Sequence, residues 1–282
     1  MIIFKSATDI SRYLIQQNQQ GIRNAFVPTM GALHDGHIAL IKKARAENKL
    51  VTCSIFVNPT QFNDPRDFKK YPHTIEQDIL LLAKAGCDVL FLPSVETMYP
   101  DGLENKLHYQ LGDLENKLEG KYRPGHYQGV CQVVHRLLNI VKPAKLYLGQ
   151  KDFQQCMILK RLVEIIGLNT QVIVCPTRRE PGGLAMSSRN MRLSIDEKKQ
   201  ATAIFEVLNS IKENIKNKDL DVLKNEAIHT LNQKGFKVDY VAIASTDDLN
   251  EVKKYDDNYT LIALVAAYLN EVRLIDNMLL ND

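Results

Sequence analysis

The residue pattern predicts an α/β fold: a parallel sheet wrapped by helices, followed by a smaller C-terminal α+β unit. Three observations predict it. Short apolar runs rich in β-branched residues recur through the first two-thirds of the chain, and helical periodicities lie between most of them. Past a loop rich in proline and glycine the order changes, with helices first and long strands last.

The strand-like runs, in order, are IRNAFV, LVTCSIFV, DVLFLP, KLYLG and TQVIVC. Between the second and third, a helix is expected to begin at Thr74 as N-cap, to bury Ile75, Ile79 and Leu82, and to stop at Gly86. Before the fourth, Val130, Val133, Val134, Leu137, Leu138 and Val141 recur at the i, i+3, i+4, i+7 spacing of one buried helical face, and Pro143 ends it. After Cys175 comes a loop with Pro176, Pro181, Gly182 and Gly183, then a long polar helical stretch from about Ser194. Two helical stretches precede KVDYVAIAS, YTLIALVAAYL and EVRLIDNM, which read as strands with hairpin potential. The expected division is residues 1–177 and residues 178–282, with no internal repeat.

Of the 282 residues 45% are hydrophobic and 24% charged, a globular composition that argues against disorder. The net charge of +3 comes from 36 basic and 33 acidic residues interspersed along the chain. Without a basic arm, nucleic acid is not an expected partner, and the slight positive excess suits a small anionic substrate. MIIFKSATDI lacks a signal-peptide apolar core and no apolar run has membrane-spanning length, so a cytoplasmic protein without membrane attachment is expected. Five cysteines without a C-x-x-C pair, several in apolar stretches, read as reduced core thiols.

Four segments carry chemistry. Pro28-Thr29-Met30-Gly31-Ala32-Leu33-His34-Asp35-Gly36-His37 lies where a buried strand gives way to a helix, the edge at which open α/β sheets bind ligands. A helix N-terminus favours phosphate, and His34 and His37, three apart, can both donate to a triphosphate as charge builds on leaving pyrophosphate. H-x-G-H resembles the signature of the nucleotidyltransferase superfamily that includes class I aminoacyl-tRNA synthetases, which names a nucleotide chemistry and no substrate. Ala185-Met186-Ser187-Ser188-Arg189-Asn190 resembles the mobile loop that accompanies this motif; alone, Ser-Ser-Arg is an ordinary solvated turn. Leu148-Gly149-Gln150-Lys151-Asp152-Phe153-Gln154-Gln155 is a second strand-to-helix passage. In it Gly149 admits a nucleotide close to backbone, Lys151 offers a point charge, and Asp152 is a ribose partner or N-cap. Phe56-Val57-Asn58-Pro59-Thr60-Gln61-Phe62 follows another strand, and the amides of Gln61 and Gln155, each donor and acceptor, suit a small hydroxy acid.

In order, PTMGALHDGH, FVNPTQF, YRPGHYQGV, YLGQKDFQQ and AMSSRN, with LIDN near the end, resemble the pantothenate synthetase family over nearly the whole chain. The resemblance implies a Rossmann-like ATP- and pantoate-binding domain, a smaller C-terminal lid domain and a homodimer. It also implies ATP as co-substrate, with Mg²⁺ carried on its phosphates and no metal held by the protein. The implied reaction condenses (R)-pantoate with β-alanine through a pantoyl-adenylate, giving pantothenate, AMP and pyrophosphate. Carried over by residue, Met30, Gly31, Ala32, Leu33, His34, Asp35, Gly36 and His37 would line the ATP site, with His37 as proton donor. Gly149, Gln150, Lys151, Asp152, Met186, Ser187, Ser188 and Arg189 would complete it, with His34, Lys151 and Arg189 also catalytic. Gln61 and Gln155 would hold pantoate, Gln61 also lying near β-alanine. Two departures stand out. Arg178 occupies a position commonly aliphatic, approached by adenine through its backbone, and Gly182 replaces an aspartate, which suggests a looser hinge. Another H-x-G-H enzyme, such as a cytidylyltransferase or pantetheine-phosphate adenylyltransferase, is the alternative, though these are generally shorter and lack the FVNPTQF and GQKDFQQ pair. A non-enzymatic nucleotide or RNA binder would need a basic stripe with aromatics, which the sequence lacks.

Overall fold

A computed structural model describes residues 1–63, 65–104 and 107–281 of the chain. The chain divides into two compact units, Met1–Gly149 with Gln155–Pro176, and Gln150–Gln154 with Thr177–Asp282.

The first unit runs β1 (Ile2–Phe4), α1 (Ala7–Gln19), β2 (Asn24–Thr29), α2 (Asp35–Glu47), β3 (Leu50–Ile55), α3 (Pro65–Lys69), α4 (Ile75–Ala85) and β4 (Val89–Phe91). It continues with α5 (Val95–Met98), α6 (Leu118–Tyr122), α7 (His126–Val141), β5 (Lys145–Gly149), α8 (Phe153–Ile165), whose first two residues group with the second unit, and β6 (Gln171–Cys175). The strands form one parallel sheet in the order β1-β4-β3-β2-β5-β6. Both faces are covered. Phe26 on β2 packs in the cluster with Ile10 of α1 and Val134, Leu137 and Leu138 of α7. Its neighbours Ala25 and Val27 join Ile38 and Ile41 of α2 and Leu82 of α4 on the opposite side. This is why the strands read as near-continuous apolar runs rather than alternating ones.

The order reverses between β2 and β5. β2 pairs with β3 over six residues, but with β5 only through Ala25–Lys145 and Phe26–Leu146. The two strands then part, which opens a crevice at their carboxyl ends.

The expected strands all form, and α7 carries its buried face before Lys142 and Pro143 end it. β1 was not expected: at three residues it is too short for a pattern, and Ile2 and Ile3 stay largely exposed at the sheet edge. On α4, Gly86 closes the helix in the left-handed region as expected, but the buried face differs. Leu82 is buried while Ile75 and Ile79 are half-buried, and Asp78 is 1% exposed. Thr74 sits at the N-cap without capping the backbone; its hydroxyl donates to Asp78 Oδ1 at 3.1 Å. All five cysteines are buried and free.

The second unit carries α9 (Ile195–Ala201), α10 (Ala203–Asn214), α11 (Leu220–Gln233), β7 (Phe236–Ser245), β8 (Leu261–Leu269) and β9 (Val272–Leu279). The polar stretch from Ser194 is two helices rather than one. Ser194 and Glu197 form a reciprocal cap, and Thr202 breaks the run by turning its hydroxyl back onto Lys199 O at 2.7 Å. The three strands make an antiparallel sheet in the order β7-β8-β9, with Val241, Ile243, Val265 and Leu274 packed in one core with Ile204, Leu208, Leu223 and Leu231 of the helices. Among the described residues no helix is long and apolar enough to cross a membrane.

Candidate active site

The loop from β2 into α2 is built around Gly31 and Asp78. Gly31 has φ +79°, and a Cβ there would lie 3.0 Å from Ile55 Cγ2 and 3.1 Å from Asp78 Oδ2, so any side chain would be both strained and crowded. Asp78 takes the next two amides: Ala32 N–H donates to Oδ2 at 2.9 Å and Leu33 N–H to Oδ1 at 2.8 Å. Ala32 itself has φ +49°, an uncommon conformation for a residue with a side chain, which these bonds help to hold. Asp78 lies outside every motif the sequence singles out. The available signal was an acidic residue four positions before Leu82, on a face that should have been apolar.

The two histidines then begin α2. His34 is the N-cap, its Nδ1 accepting from Gly36 N–H at 3.1 Å, and His37 Nδ1 accepts from His34 N–H at 3.4 Å. The rings lie 4.0 Å apart, centroid to centroid. A ring nitrogen that accepts an N–H carries no proton, so each neutral imidazole keeps its hydrogen on Nε2. The capping therefore sets the tautomer in which Nε2 is the donor. Both rings are half-buried beside the positive end of a thirteen-residue helix at the crevice between β2 and β5.

A single 3-10 turn, Pro59–Gln61, follows β3. Asn58 is 1% exposed and ties this turn down: Tyr99 Oη donates to its Oδ1 at 2.7 Å, and its Nδ2 donates to Gln61 Oε1 at 3.2 Å and to Gly129 O at 3.3 Å. Gly129 makes this approach possible, since a Cβ would sit 2.4 Å from Thr60 O. The Gln61 amide nitrogen lies 3.0 Å from Met30 Sδ, so the turn and the β2 loop meet at this pair. The side chain of Gln155, half-buried in the first turn of α8, forms no hydrogen bond among the described residues. Gly149 ends β5 at the same edge of the sheet.

In the second unit Asn277 on β9 holds the turn Gln150–Asp152: its amide donates to Gln150 O at 2.9 Å and Lys151 O at 2.8 Å. Lys151 Nζ lies 3.2 Å from Asp152 Oδ1, so the Asp152 carboxylate faces a cation. Beside Asn277, the buried Asp276 takes Arg179 in a two-pronged bridge of 2.5 and 3.1 Å. Burial raises the Asp276 carboxyl above the ordinary range while Arg179 pulls it back down. The Arg179 guanidinium also lies 4.5 Å from the centre of the Phe205 ring. The loop closes by Met186 N–H to Arg178 O at 2.9 Å, and Asn190 reaches back to Glu180 Oε1 and Ala185 O. Within it Ser187 caps Arg189 N–H at 3.3 Å, Ser188 is buried, and Met186 and Arg189 are half-buried. Arg178 is exposed, so an arginine in place of an aliphatic residue can keep its charged end in solvent. Gly182 takes φ +95°, a value that suits glycine better than the aspartate it replaces. Asp276 and Asn277 are visible in the sequence only as two polar residues inside an apolar strand. Their partners lie about a hundred or more positions away, so no local pattern assigns them. Among the described residues no three His, Cys, Asp or Glu groups gather as a metal-holding cluster.

Residues 2–279 match the family model described as pantoate-beta-alanine ligase. A pantothenate synthetase of Cytophaga hutchinsonii is 44% identical, covering 99% of each chain. The crystal structure of pantothenate synthetase from Thermus thermophilus superposes with a TM-score of 0.92 at 37% identity, covering 100% of both chains. The pantoate-beta-alanine ligase of Francisella tularensis, solved in complex with beta-gamma ATP and beta-alanine, matches with a TM-score of 0.80 at 43% identity over 99% of this chain and 97% of that one. By model, sequence and fold alike, the chain belongs to the pantoate-beta-alanine ligase family.

Proposed function

We propose that this chain condenses (R)-pantoate with β-alanine, using ATP and releasing AMP and pyrophosphate, by way of a pantoyl-adenylate. The observation that carries the reading is the pair of capped imidazoles, with Nε2–H as donor, at the crevice where β2 and β5 part. A carboxylate is a poor acyl donor because its leaving group would be oxide, so it must first become a mixed anhydride. The pantoate carboxylate attacks the α-phosphorus of ATP and pyrophosphate departs. His34 and His37 donate to the phosphate oxygens as their charge grows, His37 serving as the main proton donor to the leaving group. Lys151 and Arg189 add fixed positive charge, and Mg²⁺ enters on the nucleotide as part of the substrate. The amine of β-alanine then attacks the anhydride carbonyl and AMP leaves.

Residues 30–37, with Gly149, Gln150, Asp152, Arg178, Met186, Ser187 and Ser188, are assigned to ATP, and Gln61 and Gln155 to pantoate. Residues 1–177 are the nucleotide- and acid-binding domain and residues 178–282 the lid, which would shield the hydrolysable anhydride from water. A cytoplasmic homodimer completes the reading. The relative complexed with ATP and beta-alanine supports both as substrates. The test is AMP formation with pantoate and β-alanine present together or omitted singly: sustained turnover needs both, and turnover with either omitted overturns the reaction as written.

A further inference from the structure

The Gln61 amide is not free to choose which of its two ends faces a ligand. A primary amide can in principle turn over and exchange donor for acceptor, so its polarity must be read from neighbours whose roles are fixed. Two backbone groups next to Asn58 have fixed roles. The Gly129 carbonyl can only accept and lies 3.3 Å from one end of the Asn58 amide, while Thr60 N–H can only donate and lies 3.4 Å from the other. Turning Asn58 over would set acceptor against acceptor and donor against donor. Its nitrogen therefore faces Gly129 and also Gln61, which must answer with its oxygen, at 3.2 Å. The Gln61 nitrogen is then left for the other side, where it lies 3.0 Å from the weak acceptor Met30 Sδ.

Tyr99 supplies the short bond in this chain. Its hydroxyl donates to Asn58 Oδ1 at 2.7 Å, against 3.4 Å for Thr60 N–H and 3.2 Å for Thr60 Oγ1. Tyr99 is 4% exposed, and its ring packs 6.2 Å from Phe56, centroid to centroid. Burial raises the pKa of its phenol, which keeps the donor proton in place. The Gln61 backbone is held as well, its carbonyl lying 2.8 Å from His126 Nδ1.

We infer that Tyr99 is a positioning residue for the acid site: through Asn58 it holds Gln61 with its amide nitrogen toward the ligand, so that this point takes an oxygen acceptor and refuses an ammonium. The inference rests on the reading of Gln61 as a pantoate residue. The carboxylate and hydroxyl oxygens of the acid fit such a donor, as would the carboxylate of β-alanine, while the amine that performs the second attack must be met elsewhere.

The test is a double-mutant cycle on the full chain with Tyr99→Phe and Gln61→Ala. Pantoate affinity is read by titration calorimetry in the presence of α,β-methylene-ATP, which cannot be adenylated against. Tyr99→Phe keeps the ring and removes one hydroxyl. It should weaken pantoate by about 2- to 10-fold, the range of one net hydrogen bond. Affinity for the ATP analogue should not change. In the Gln61→Ala background the Tyr99→Phe effect should vanish, because the group through which it acts is gone. An equal effect in both backgrounds, no effect in either, or a parallel loss of ATP-analogue affinity would overturn the inference and leave the proposed reaction standing. If Gln61→Ala itself leaves pantoate affinity unchanged, the assignment of Gln61 to the acid fails, and the inference with it.

Discussion

The loop after β2 and the segment around Arg179 hold chemistry-bearing side chains by different means. In the first, the reacting imidazoles themselves cap the backbone: a parallel strand ends at a reversal of sheet order, a glycine turns the chain, Asp78 takes the next two amides, and two histidines cap the helix that follows. In the second, buried polar side chains on one antiparallel strand do the holding, with Asp276 gripping Arg179 and Asn277 gripping the turn that carries Lys151. Damage should therefore show differently in the two places. Removing a histidine ring from the first should cost rate with little stability, whereas removing Asp276 or Asn277 from the second should cost stability first.

The largest effect is expected from Asp276→Ala, which leaves the Arg179 guanidinium, 19% exposed, without its counter-charge. Breaking a buried pair in this way costs about 3–5 kcal/mol. Chemical denaturation should register the loss, and hydrogen exchange should rise in β9 and residues 179–190 before it rises in β2 and β3. Uniform loosening of both sheets would erase the distinction. His37→Ala should lower the adenylation rate by about 10²–10³. It forfeits one helix-terminal hydrogen bond, so the melting temperature should move little; a large fall in stability at an unchanged rate would reverse the comparison. Gln155→Ala should weaken pantoate by about 1–3 kcal/mol while sparing ATP, as expected when a ligand oxygen loses its partner. Steady-state KM values for the two substrates would separate these outcomes. Smallest is Thr74→Val, which removes one hydroxyl donor from Asp78 and should reduce stability by about 0.5–1.5 kcal/mol. A loss of several times that size would mean that Asp78 depends on Thr74 more than on the two backbone amides.

What was legible in the sequence follows the same division. The five runs that became β2 to β6 announced themselves because burial on both faces makes a parallel strand apolar throughout. The loop motif after β2 was equally plain, since strand, glycine and histidines are adjacent in the chain. Residues that act across long separations were not. Asp78 reaches back 46 positions to the Ala32 amide, and Asn277 reaches 126 to Lys151. A buried polar residue in a helix or strand looks locally like a misplaced charge until its partner is known. β1 was lost for a simpler reason, having too few residues to carry a pattern and an edge position that leaves Ile2 and Ile3 exposed.

The proposed reaction turns on an acyl-adenylate formed before the amine enters. The most direct test is exchange of labelled pyrophosphate into ATP, with pantoate present and β-alanine absent. Exchange needs only the first half-reaction, so it should proceed at a rate comparable to turnover and should vanish when pantoate is withheld. Release of ADP and phosphate in place of AMP and pyrophosphate, or the absence of exchange until β-alanine is added, would contradict the adenylate and with it the role given to the histidine pair.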